Sequence, residues 1–339
     1  MQTPYFIFNP KILIKNYRDF HSLCQKYLDR FIIAYSAKTN TLKPVIYILL
    51  KQGSLFEVAS LNEIRKIPKT RLIFNSPAKT EKELAIALRR KFLINADSIS
   101  EIDKIAKILK GRKFNIGLRV SLEESKFGVE EDKIKETIDY AKKRNLNIVS
   151  LHFHSGTQLS LSKYKENIKK IEEIIKELPI KLKYINLGGG FPDKYQLKNL
   201  NVSLEDFFKE IRLLKKFNAT IILEPGRCLV ADSMQLITRV IVIKENFNKK
   251  YAILDAGINF LPKIALSQYP CKKINNKNIQ ATIKNEYILA GPLLFGNDII
   301  GKYSGELNEG DLITIENVGA YCYNLAWEIS YKKPKVFIE

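Results

Sequence analysis

The chain has 339 residues, enough for one large or two ordinary domains. Hydrophobic residues make up 45% and charged residues 27%, which excludes a disordered chain, a collagen-like repeat and a disulfide scaffold. Lys and Arg number 56 against 36 Asp and Glu, a formal net charge of +20. Only 12 of the 56 are Arg and the Lys are scattered, so the charge reads as compositional bias and not as a nucleic-acid surface.

The opening MQTPYFIFNPK lacks the basic region and apolar block of a secretory signal. No apolar run approaches the roughly 18 residues of a membrane span. Cys24, Cys228, Cys271 and Cys322 lie far apart without CxxC or CxxH pairing, so neither a zinc module nor a disulfide framework is expected. A soluble cytoplasmic protein is the expectation.

An extended run at 5–8 opens the chain. Short apolar, β-branched runs then recur at 31–35, 55–59, 71–74, 92–95, 115–120, 148–153, 184–187 and 220–223. Between them lie segments of helical spacing with charged faces, such as 81–90, 99–109, 130–144 and 164–178. Strands alternating with amphipathic helices are parallel βα units. Eight of them predict an α/β chain folded as a (β/α)8 TIM barrel, with a doubly wound open sheet as the alternative. After about residue 233, strand-like runs at 236–244, 251–255, 286–290 and 311–315 follow one another with turns between them. The prediction is a barrel over 15–235, and an antiparallel β domain from 236–339 that residues 1–14 join.

A barrel gathers its chemistry at the carboxyl ends of its strands. Those ends read AYSAK, FEVAS, LRV, HFHSGT, LGGGFP and EPGR. Lys38 follows the first apolar strand directly. It is either a surface residue or an amine that loses solvation at the mouth and becomes a Schiff-base nucleophile. The glycines at 188–190, with Gly226 and Arg227 on the next strand end, offer backbone N–H groups and a cation to a phosphate. Glu224 is either the partner of Arg227 or a surface Lys, or a carboxylate that keeps the ring nitrogen of a bound pyridine protonated. His154 either stacks on such a ring or is structural.

Taken in order, these motifs resemble the fold-type III pyridoxal-phosphate decarboxylases that act on ornithine, diaminopimelate and carboxynorspermidine, built on the alanine racemase-like barrel. TPYFIFN, AYSAKTN, FEVASLNEI, INADSISEI, SKFG, HFHSGT, LGGGFP, EPGR, LDAGINFLPKIAL, AGPLLFGND and ENVGAY all fall in the family's sequence. The resemblance implies pyridoxal 5'-phosphate as cofactor, carried by Lys38 and stacked on by His154. Glu224 would be its pyridine-nitrogen partner. Thr157, Gly189, Gly190, Gly226, Arg227 and Tyr321 would hold its phosphate. It also implies a homodimer in which the β domain of one subunit completes the other's site. Lys263, Phe295 and Asp298 would face the substrate.

In the stretch Gly291–Asp298, Leu294 stands where the family has Cys and Phe295 where it has an acid. A missing acid argues against a short diamino acid with a free distal amine. Lys263, where diaminopimelate decarboxylases have Arg, suits a distal anion or an amino-acid conjugate. The expected activity is decarboxylation of such an amino acid. The alternatives are a catalytically altered homologue that binds a partner, and a racemase, which Glu224 disfavours.

Overall fold

Parallel strands bury both faces, so short β-branched runs flanked by charged helices can only be satisfied inside a layered α/β fold. The computed structural model describes residues 2–157, 160–262, 269–274 and 285–339. Lys263 lies outside them. A first strand, β1 (Tyr5–Phe8), precedes eight parallel strands: β2 (Phe31–Ser36), β3 (Leu55–Val58), β4 (Leu72–Phe74), β5 (Leu93–Ala96), β6 (Phe114–Arg119), β7 (Leu146–His152), β8 (Tyr184–Asn186) and β9 (Thr220–Leu223). They pair in sequence order, and β9 returns to β2 with Ile221 opposite Phe31 and Leu223 opposite Ile33, closing the barrel. The open-sheet alternative is thereby excluded.

The barrel helices start where a side chain can take the free amide groups of a first turn. Thr80 caps Glu81–Arg89 in a reciprocal box with Glu83, and Ser203 caps Leu204–Ile211 with Asp206. Ser98 and Ser160 cap Ile99–Leu109 and Leu161–Lys176. Each cap contributes about 1 kcal/mol. One helix layer packs through aromatic edges, with Phe20 and Phe208 ring centres 5.2 Å apart and Tyr164 and Phe207 5.1 Å apart.

The remaining strands are β10 (Met234–Asn246), β11 (Lys249–Leu254), β12 (Cys271–Lys273), β13 (Glu286–Ala290), β14 (Ile299–Ser304), β15 (Leu312–Ile315) and β16 (Lys335–Ile338). Their order is β12-β15-β10-β11-β13-β14, and β1 pairs with both β10 and β16. The sheet is largely antiparallel, but β1 with β16 and β11 with β13 run parallel. The chain divides into two compact units: Asn16–Cys228, which holds the barrel, and residues up to Lys15 together with Leu229–Glu339, which hold the second sheet. No helix among the described residues is long and apolar enough to cross a membrane.

Candidate active site

β2 ends at Ser36 and continues into one 3-10 turn, Ala37–Thr39, which sets Lys38 at the mouth of the barrel. The Lys38 side chain is 49% exposed, and its Nζ lies 3.7 Å from Glu57 Oε2 at the end of β3. Ser36 Oγ donates to the same Glu57 oxygen at 2.6 Å. The loss of solvation anticipated for Lys38 is therefore absent. What distinguishes this amine is access and a buried carboxylate beside it.

A second lysine at the same end, Lys79, is its opposite. The Lys79 side chain is fully buried, with Nζ 2.7 Å from Glu101 Oε1, and it donates to the carbonyls of Ser76 and Asn95 at 2.8 Å each. Burial draws its pKa down, against the pull of Glu101. Fully engaged, Lys79 has no freedom to attack anything. Of the two, only Lys38 is open to solvent.

Glu224 follows β9 and is 5% exposed. Asn75, just past β4, donates through Nδ2 to both carboxylate oxygens at 3.0 Å. Asn186, the last residue of β8, donates to Oε1 at 2.7 Å. His152, the last residue of β7, brings Nε2 to 3.5 Å from Oε2. Burial alone would raise this carboxyl. The neighbouring His152 imidazole, together with the hydrogen bonds from Asn186 and Asn75, outweighs it and holds the carboxyl well below the usual carboxylate range. Asn95 in turn donates to Asn75 Oδ1 at 2.7 Å, which orients the Asn75 amide toward Glu224. Neither partner anticipated for Glu224, Arg227 or a surface Lys, holds its carboxylate; neutral amides and an imidazole do.

His154 is accessible from the mouth, yet loss of solvation, followed by the charges of Lys38, His152 and Arg119, lowers its imidazole to about 4. It is therefore neutral at neutral pH. Arg119 is held by Asp97 at 3.4 Å and lies 4.1 Å over the Phe127 ring; Gly128 N–H donates to Asp97. Thr157 is exposed in the loop after β7.

The glycine loops approach each other too closely for side chains. A Cβ on Gly189 would lie 2.3 Å from the Glu224 carbonyl oxygen, and one on Gly190, whose φ is +88°, 2.0 Å from the Gly156 carbonyl. A Cβ on Gly226 would strike Thr39 Oγ1 at 2.2 Å, one residue from Lys38. The ends of β7, β8 and β9 thus converge on the turn that carries Lys38. Arg227 is buried, with Nη1 4.0 Å from Asp193 Oδ2.

The second unit carries the other anticipated residues. Tyr321 has a left-handed backbone, φ +62°. Leu294 is fully exposed and Phe295 partly so. Asp298 is buried, and its two carboxylate oxygens accept backbone N–H groups from Ile258 at 2.7 Å and Leu293 at 2.8 Å. It ties its own turn to the segment that follows β11. Cys322, the one thiol that could stand in for the missing Cys, is fully buried and 3.3 Å from Tyr269 Oη.

An ionised acceptor fixed by amides, an accessible lysine and a cradle without room for Cβ atoms fit a phosphorylated pyridine. Residues 15–231 match the family model described as "Pyridoxal-dependent decarboxylase, pyridoxal binding domain". The chain belongs to this decarboxylase family. Its cofactor is pyridoxal 5'-phosphate and its reaction is a decarboxylation. The decarboxylase is 30% identical to the diaminopimelate decarboxylase of Helicobacter pylori strain J99, over 97% of this chain and 92% of that one. A crystal structure of the Helicobacter pylori diaminopimelate decarboxylase complexed with L-lysine superposes with a TM-score of 0.88 at 28% identity, covering 100% of this chain and 91% of that one. The diaminopimelate decarboxylase of Methanocaldococcus jannaschii reaches 0.91 at 26% identity, covering 100% of this chain and 87% of that one.

Asn75, Asn186, Glu57 and His152 were not singled out from the sequence. Each stands within one residue of the carboxyl end of a barrel strand, and that position was the available signal.

Proposed function

We propose that Lys38 carries the cofactor, that Glu224 faces its ring nitrogen, and that the substrate is an α-amino acid with a distal carboxylate. The observation that carries this reading is the Glu224 carboxylate, held ionised in a buried site by Asn75, Asn186 and His152. When bound, pyridoxal phosphate supplies a pyridine ring that takes up the electron pair released with carbon dioxide. An ionised Glu224 holds a proton at that ring nitrogen. His154, neutral and accessible, lies against the ring. Thr157, Gly189, Gly190, Gly226 and Arg227 would hold the phosphate. With the cofactor bound, the Lys38 amine would be displaced by the incoming substrate amine, take up the proton that amine brings, and deliver it to Cα. Leu294 cannot donate a proton and Cys322 is buried, which leaves the Lys38 amine for this step.

The relatives are named for diaminopimelate, an amino acid with a carboxylate and an ammonium at its far end. Phe295 supplies no carboxylate for that ammonium, and an unpaired buried charge costs several kcal/mol. Lys263 offers a cation to the far carboxylate. The substrate class is therefore a distal carboxylate whose neighbouring amine is tolerated or capped. A panel of meso-diaminopimelate, its N-acylated conjugates, lysine, ornithine and arginine, scored for carbon dioxide, tests this. Diaminopimelate or a conjugate should give the highest kcat/KM. Turnover of lysine or ornithine in the ordinary enzymatic range, roughly 1–1,000 per second, would overturn the assignment.

We also infer a homodimer in which Tyr321, Lys263 and Phe295 serve the partner subunit's site. The exposed Leu294, Leu325, Trp327 and Ile329 of the second unit support it, as large apolar side chains that a partner subunit would cover. Light scattering on the loaded protein should give twice the 39.1 kDa chain mass; a monomer at micromolar concentration would refute the inference.

A further inference from the structure

The barrel has a second opening, at the amino ends of its strands, away from Lys38 and Glu224. A cavity of about 500 Å³ lies there. Its floor is Ile32, Leu55, Ile73, Leu93, Tyr184 and Ile222. Ile73 and Ile222 are buried with Ala34, while Ile32, Leu55, Leu93 and Tyr184 are only partly covered. Barrel interiors are normally filled by stacked layers of side chains. Here β4 and β8 have three residues each, so they contribute little to the lowest layer and the base stays open.

The rim is cationic. Arg71, Lys91, Lys113 and Lys183 line the cavity, each one or two residues ahead of β4, β5, β6 or β8. Among the described residues no acidic side chain lines it. Among the described residues Arg71, Lys91 and Lys113 make no side-chain ion pair or hydrogen bond, although cations elsewhere on the barrel commonly do, as in Lys107 with Glu81 and Lys135 with Glu177. Helix carboxyl ends at this face carry partial negative charge, which offsets some of these cations. The recess itself is left with whole positive charges and no carboxylate.

We propose that this cavity is a binding site for a small amphipathic carboxylate, whose apolar body fills the recess over Ile73 and Ile222 and whose anionic head meets Lys91 and Lys113. The volume falls within the 300–1,000 Å³ usual for small-molecule sites, and an apolar body with few placed charges is their usual lining.

The test uses the full chain loaded with pyridoxal phosphate, so that the mouth with Lys38 is occupied. The probe is decanoate below its micelle concentration, titrated calorimetrically, with decanol as the uncharged control. One decanoate should bind per chain, at least about tenfold more tightly than decanol. Lys91→Glu with Lys113→Glu should weaken decanoate about tenfold or more. Lys82→Glu with Lys169→Glu changes net charge equally at exposed positions and should leave affinity unchanged. Retention of the bound-cofactor absorbance verifies that each variant is folded. Absence of decanoate binding, equal binding of decanol, an unaffected rim variant, or an equal loss in the control variant would each overturn the proposal.

Discussion

Glu224→Gln is expected to lower kcat about 100-fold or more while changing cofactor affinity only a few-fold. The reason is the way the carboxylate is held. Both of its oxygens already accept from Asn75, and one accepts from Asn186. Glutamine keeps the shape and one acceptor but turns the other into an NH2 facing the Asn75 amide, donor against donor. That mismatch costs about 1–3 kcal/mol of stability. The larger effect is chemical, because a neutral amide cannot hold a proton on the ring nitrogen. Cofactor titration by fluorescence and carbon dioxide release from the loaded variant separate the two effects. A loaded variant that turns over at the native rate would remove Glu224 from the reaction, and a variant that cannot be loaded would make it a binding group instead.

Lys38→Ala is expected to lower turnover about 1,000-fold or more, the scale on which single nucleophiles fail. The 3-10 turn that presents it has no other amine, and the nearby Lys79 is enclosed by Glu101 and two carbonyls. Borohydride reduction of the loaded native protein, digestion and mass mapping should place the adduct on Lys38. An adduct on Lys79 would show that the buried pair opens and that the assignment is wrong.

The barrel was legible because each strand is a short apolar run, and eight such runs alternating with amphipathic helices are buried on both faces when they close into a barrel, between a packed interior and an outer ring of helices. The second sheet was legible only in part. β12 is the polar triplet CKK and β16 the four residues KVFI, and strands this short have no periodicity to read. Lys38, His154 and Glu224 stood out because their residue types are rare at the ends of apolar runs. Asn75 and Asn186 did not, since asparagine after a strand is equally a turn residue, and only the converging fold shows what it points at. The bonds of Asp298 were not legible either, because one of them reaches the Ile258 amide, forty residues earlier in the chain, and only the fold brings the two together. The solvation of Lys38 depends on the depth of the mouth, which no local pattern encodes.

The enclosed pair Lys79 and Glu101 carries a consequence for how this lineage can change. Losing either side chain alone leaves a charge stranded in the interior, a loss of about 3–5 kcal/mol. A domain of this kind is stable by about 5–15 kcal/mol in total, so one such step removes a large share of the margin. Replacing both with well-packed apolar residues would be nearly neutral, yet each single path to that state passes through a crippled intermediate. The two positions are thus an epistatic lock, and in descendants of this chain they should persist together or disappear together.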